Sequence, residues 1–109
     1  MAKYLITGSY TVDGTKGLLA EGGSARKAAV EQALQGLGGK LESIYYAYGD
    51  TDVIVIAEIP DAASAVAMSL VVNASGAVNI KMTPLLTVAE VDAACQKTVR
   101  YRPAGAAAI

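Results

Sequence analysis

Residues 53–59, Val-Ile-Val-Ile-Ala-Glu-Ile, are apolar at both odd and even positions, and this constrains the fold more than any other stretch. Successive side chains of a strand point to opposite faces of its sheet, so a strand with this pattern needs cover on both sides. Residues 41–48 form a second strand-like run, and Gly49-Asp50-Thr51-Asp52 joins the two as a hairpin turn. In a chain of 109 residues, part of that cover can come from another copy of the chain.

The length fits one domain with enough core to fold without disulfides or metal. We place the domain at residues 1–103 and a disordered tail at residues 104–109. Nine basic and ten acidic residues, spread along the chain, form no block that would attract a polyanion, which argues against nucleic-acid binding. Residues 62–80 carry no charge, but Asn73, Ser75 and Gly76 interrupt them well before the roughly 20 apolar residues a spanning helix needs, so no membrane is expected. The start of the chain shows no long apolar signal segment, and Cys95 is the one cysteine. A reducing, cytoplasmic setting fits both features.

Read in order, residues 3–10 alternate as a first strand, with Tyr4, Ile6, Gly8 and Tyr10 on one face and Leu5, Thr7 and Ser9 on the other. Asp13-Gly14-Thr15 signals a helix start, and Val30, Ala33, Leu34 and Leu37 form one helical stripe before Gly38-Gly39 ends it. After the hairpin, Pro60-Asp61 opens a helix over residues 62–74, and residues 77–83 form a fourth strand with Val78, Ile80 and Met82 inward. Pro84 should stop that strand. Thr87 and Glu90 match a capping box for a last helix over residues 88–99, whose Val88, Val91, Ala94, Cys95 and Val99 should face the core.

The order strand, helix, strand, strand, helix, strand with an added C-terminal helix predicts an α+β fold. It fits a four-stranded antiparallel sheet with two helices on one face, the ferredoxin-like βαββαβ arrangement. Pairing Tyr45 with Val55, and Tyr46 with Ile54 and Ile56, leaves large apolar groups on the face away from the helices. Exposing them forgoes roughly 1.5–3 kcal/mol per fully buried side chain, against a total domain stability of about 5–15 kcal/mol. A second copy packed sheet to sheet recovers that loss, giving a homodimer or higher homo-oligomer. The alternative cover is the last helix folded back across the sheet.

Several segments together resemble one known family. They are Lys3-Tyr4-Leu5-Ile6-Thr7, Gly38-Gly39-Lys40-Leu41-Glu42, Tyr48-Gly49-Asp50-Thr51-Asp52-Val53, Asn73-Ala74-Ser75-Gly76 and Thr83-Pro84-Leu85-Leu86-Thr87. In order and spacing they are similar to the GYD domain family of small bacterial proteins. The resemblance implies a ferredoxin-like protomer of the dimeric α/β barrel type, in a family without an established activity. It supplies no catalytic residues, and Thr51 stands where the family motif has tyrosine.

Residue chemistry narrows the function. Histidine is absent, which removes the commonest general base, the Ser-His and Cys-His pairs and the commonest transition-metal ligand, so neither a metal nor a cofactor is expected. Cys95 reads as a buried packing residue. Gly22-Gly23-Ser24 with Arg26 is a candidate binding element: paired glycines cost a helix roughly 1 kcal/mol each, and Ser24 can cap a restarted helix whose amides and Arg26 attract an anion. The alternative is a bend, or a close approach to another protomer. Asp50 and Asp52 can act as acid and base or as ligands for a hard cation, or can hold their own turn. Six tyrosines are the whole aromatic content; Tyr10 and Tyr46 are candidates to line a ligand pocket with Arg26 and Asp52, although tyrosines also fill cores and interfaces.

Three functions remain open on these residues. One is an oligomeric module that binds or senses an anionic or aromatic metabolite through Tyr10, Gly22, Gly23, Ser24, Arg26, Tyr46 and Asp52. The second is a cofactor-free oxygenase or isomerase in which Asp52 or a tyrosine moves a proton. The third is a self-assembling structural or accessory protein.

Overall fold

The computed structural model describes residues 1–105. The expected tail therefore lies mostly outside the described residues, and Ala104 and Gly105 form a turn. In chain order the elements are β1 (Ala2–Tyr10), α1 (Val12–Glu21), α2 (Gly23–Gly36), β2 (Lys40–Tyr46), β3 (Val53–Ile59), α3 (Ala62–Ala74), β4 (Val78–Leu85) and α4 (Val88–Cys95). One four-stranded sheet runs in the order β2-β3-β1-β4, with every neighbouring pair antiparallel. The α+β class expected from the sequence is the class observed.

The two faces of the sheet differ in cover. Cross-strand rows on the helix side include Ile44, Val55, Ile6 and Met82 in one and Tyr46, Val53, Gly8 and Ile80 in the next. Ile6, Val53 and Val55 from these rows join Ala57 and Ile59 of β3, Leu34 of α2 and Ala65 and Met68 of α3 in the core, with Ile44, Ile80 and Met82 packed against it. Leu34, Ala57 and Ile59 are wholly inaccessible to water. On the opposite face the rows read Ser43, Ile56, Leu5, Thr83 and then Tyr45, Ile54, Thr7, Lys81. Leu5, Ile54 and Ile56 are half-buried there, and Tyr45 is 69% exposed.

The hairpin register corrects the sequence expectation. Tyr45 pairs with Ile54 on the open face and Tyr46 with Val53 on the helix face, whereas the expectation grouped Tyr45 with Val55 and Tyr46 with Ile54 and Ile56. A six-residue connection, 47–52, separates the strands, and β2 carries an irregularity between Leu41 and Ser43. A turn confined to residues 49–52 would place Tyr46 opposite Val55 and Tyr45 opposite Ile56, and opening the connection two residues earlier keeps those faces, so the ladder itself sets the grouping.

Helix ends follow local chemistry. The Thr11 hydroxyl accepts from the Gly14 amide, so the cap of α1 lies two residues before the Asp13 signal. A Cβ on Gly14 would collide with the Ala77 carbonyl, which explains a glycine in the first turn of this helix. The Asp61 carboxylate caps α3 by accepting from the Ser64 amide at 2.7 Å. The capping box of α4 is present as expected, with Thr87 and Glu90 each accepting from the other's backbone amide.

At the sheet edge, the Asn73 side chain accepts from the Ile80 amide at 2.7 Å and donates to its carbonyl at 3.4 Å. That contact occupies the outward amide and carbonyl of Ile80 on an edge strand, groups otherwise free to pair with a foreign chain. Pro84 does not end β4, which continues to Leu85; on an edge strand the missing amide costs no ladder bond.

Two expectations for the last helix fail. It ends at Cys95 rather than near Val99, and none of its residues is buried. Val88 and Val91 face water, and Cys95 is exposed rather than a core residue. Only the first turn, with Val88 and Glu90, borders the open face near Lys3, Ile56 and Glu58. The helix therefore does not supply the alternative cover for the sheet. Residues 96–102, after α4, are exposed as well, and the molecule extends over 59 × 30 × 22 Å with a radius of gyration of 17.7 Å. A compact domain of about 100 residues has a radius near 13 Å.

Candidate functional site

Gly22 is where one predicted helix becomes two. Its φ of 86° lies in the left-handed region, and its amide donates to the Leu18 carbonyl at 2.8 Å to close α1. Gly23 then begins α2, and a side chain there would press on the Tyr46 ring at 3.1 Å. The Tyr46 hydroxyl donates to the Gly23 carbonyl at 2.9 Å. The close approach that glycine permits is thus made within one chain, between β2 and α2. Ser24 does not cap the restarted helix: the cap position is Gly22, with no side-chain hydrogen bond, and Ser24 is exposed.

Arg26, one turn into α2, points back over the sheet. Its guanidinium lies 3.5 Å from the Glu21 carboxylate at the end of α1, and its charge acts on the Tyr10 phenol. Tyr10 ends β1 and joins several of the candidate residues. Its backbone amide donates to the Asp52 carboxylate at 2.8 Å, and Arg26, Tyr46 and Asp52 all act on its phenol. Burial raises the Tyr10 pKa above the ordinary 10.0; Tyr46 and Asp52 push the same way, while Arg26 opposes them. The phenol is neutral at physiological pH and offers a hydroxyl proton.

A cavity of about 120 Å³ lies behind this pair, between the sheet and helices α2 and α3. Val30, Val55, Met68, Val72 and Ile80 are among its apolar walls, and among the described residues Tyr10 and Arg26 are the polar ones that line it. Outside it, a groove of about 300 Å³ runs between α1 and α3 past Asp13, Leu18, Glu21 and Val71. Tyr10, Arg26, Val72 and Val78 line both spaces, so they form the junction between an apolar chamber and a charged mouth. Small-molecule sites have this character, apolar walls with a few placed polar groups.

Of the candidate residues, Tyr10 and Arg26 meet on the cavity. Tyr46 and Gly23 meet each other beside it, while Gly22 and Ser24 line neither space. Asp52 also lies outside the lining. Instead of holding its own turn, its carboxylate takes the Tyr10 amide, its amide donates to the Gly8 carbonyl at 2.8 Å and its carbonyl accepts from Ala47. With the Ser9 hydroxyl donating to the Asp50 carbonyl, these bonds pin the hairpin to β1. Glu21 and Asp13 are the mouth residues that sequence reasoning did not select. The i,i+5 step from Glu21 to Arg26 across two glycines held the signal, because a break there turns the two side chains toward each other.

Among the described residues, no group of three or more His, Cys, Asp or Glu side chains is arranged to hold a metal ion. No described helix is long and apolar enough to cross a membrane.

The architecture is that of an α+β domain with one helix-covered sheet face and a small cavity beneath the helices. The family model described as GYD domain matches residues 4–95, and the chain belongs to the GYD domain family. No curated protein and no solved structure matches it.

Proposed function

We propose that the protein is a small-molecule binding or sensing module that works as a homo-oligomer. The observation that carries this reading is the apolar cavity with Tyr10 and Arg26 at its inner junction. A molecule with an apolar body and a charged head fits that division: the body gains about 25 cal/mol per Å² removed from water, and the head meets charge and hydroxyl at the mouth. The second copy belongs on the open sheet face, where Leu5, Ile54, Ile56 and Tyr45 are ringed by Lys3, Glu58 and Lys81. Apolar centres with polar rims are the usual anatomy of protein interfaces. Catalysis through Asp52 draws no support from its position, because its carboxylate is committed to the Tyr10 amide away from the cavity.

Native mass spectrometry of the protein purified without denaturation tests the binding reading. A retained organic molecule that disappears in Ala29→Leu, a substitution in the cavity wall, is the expected result. The reading fails if the wild-type protein retains nothing and no small apolar compound raises its melting temperature.

A further inference from the structure

The charges at the mouth have both signs, and this selects among ligand heads. Arg26 and Glu21 form a pair at 3.5 Å, with side chains 38% and 53% exposed, and Asp13 lies on the same groove. A simple carboxylate placed on Arg26 adds a negative charge beside Glu21 and Asp13, and a simple amine placed on Glu21 adds a positive charge beside Arg26. The carboxylate gains the attraction of Arg26 but meets the repulsion of both acids, and the amine gains the attraction of the acids but meets the repulsion of Arg26. A zwitterion avoids the conflict: its carboxylate takes Arg26 and the neutral Tyr10 hydroxyl, its ammonium takes Glu21, and the net charge of the mouth is unchanged. The partial exposure of both side chains leaves this head partly hydrated, so it avoids the desolvation cost of a deeply buried pair.

The chamber limits the tail. A dry apolar cavity of about 150 Å³ accepts benzene, so a cavity of about 120 Å³ takes a slightly smaller group. A branched four-carbon side chain is of that size, while an indole is too large and a methyl group leaves most of the space empty. Tyr10 and Arg26 line both chamber and mouth, whereas Glu21 lines only the mouth. This is the arrangement needed to hold a carboxylate at the junction, an ammonium outside it and a side chain within.

We infer that the site takes a free α-amino acid with a branched aliphatic side chain, held as a zwitterion between Arg26 and Glu21 with its side chain in the chamber. The inference rests on the small-molecule reading above and adds the class of ligand.

Calorimetric titration of the full chain with L-leucine, 4-methylpentanoate, 3-methylbutylamine and 3-methylbutanol tests it, because these four differ in head group on one branched tail. L-leucine should bind at least about tenfold more tightly than either singly charged analogue, and alanine and tryptophan should bind weakly or not at all. Arg26→Gln and Glu21→Gln, both at partly exposed positions, should each weaken L-leucine about tenfold or more while leaving 3-methylbutanol unaffected. Ala29→Leu should block all four compounds, with circular dichroism confirming the fold; if it misfolds, the two mouth variants still decide the matter. Equal or tighter binding of 4-methylpentanoate, 3-methylbutylamine or 3-methylbutanol overturns the zwitterion while leaving a small-molecule cavity in place. Absence of binding by all four compounds overturns the inference; the reading beneath it falls only if the wild-type protein also retains nothing and no small apolar compound raises its melting temperature.

Discussion

The two faces of β3 carry nearly the same residue types and meet different fates. Val53, Val55, Ala57 and Ile59 are buried under α2 and α3, whereas Ile54 and Ile56, one residue away along the same backbone, are only half-covered. Composition therefore does not distinguish a finished core from an unfinished surface in this chain; cover does. The helix face is closed by Leu34, Ala65 and Met68 from the same protomer. The open face has no counterpart, because α4 projects instead of folding back.

Truncations on the two faces should separate these roles. Ile59→Ala, at a wholly inaccessible position, is expected to cost about 3 kcal/mol in denaturant unfolding, by the same amount at every protein concentration. Ile56→Ala should cost an isolated protomer only about 1 kcal/mol, since the side chain is half-exposed already. If a second copy covers this face, the measured loss grows and the melting temperature of the parent protein rises with concentration. A concentration-independent loss equal to that of Ile59→Ala would erase the distinction between the faces.

Smaller effects sharpen the helix face at its cavity end. Tyr46→Phe removes the bond to the Gly23 carbonyl and should cost about 1 kcal/mol, read as a shift in the urea midpoint. Tyr10 makes the alkaline limb sensitive. Because burial raises its folded pKa, the native state holds the phenolic proton where the unfolded state has lost it, so stability falls as pH rises from about 10 through that raised value. Tyr10→Phe should flatten this fall and leave stability near neutral pH little changed. An unchanged alkaline limb would remove Tyr10 as its source.

Much of the frame was legible in the sequence because periodicity reports burial. The alternation of β1, the inward set Val78, Ile80 and Met82, the cap Thr87 with Glu90 and the stop at Gly76 follow from local rules, and the structure agrees with them. What failed depended on distance through space. The partners of Tyr45 and Tyr46 were set by the ladder between β2 and β3, and the exposure of Cys95 turned on where α4 went, which no pattern within the helix specifies. Half of the site was accessible the same way: Tyr10 and Arg26 stood out as an aromatic and a cation near strand and helix ends. Glu21 and Asp13 did not, because acidic residues on an outer helix resemble any solvated surface until the Gly22 turn brings α1 against α2.

Sedimentation velocity of the full chain at micromolar concentration addresses the open face most directly. The account predicts particles of at least two chains, and it predicts that Ile54→Lys combined with Ile56→Lys disperses them into folded single chains. A stable, uniformly single-chain parent protein under those conditions would contradict it.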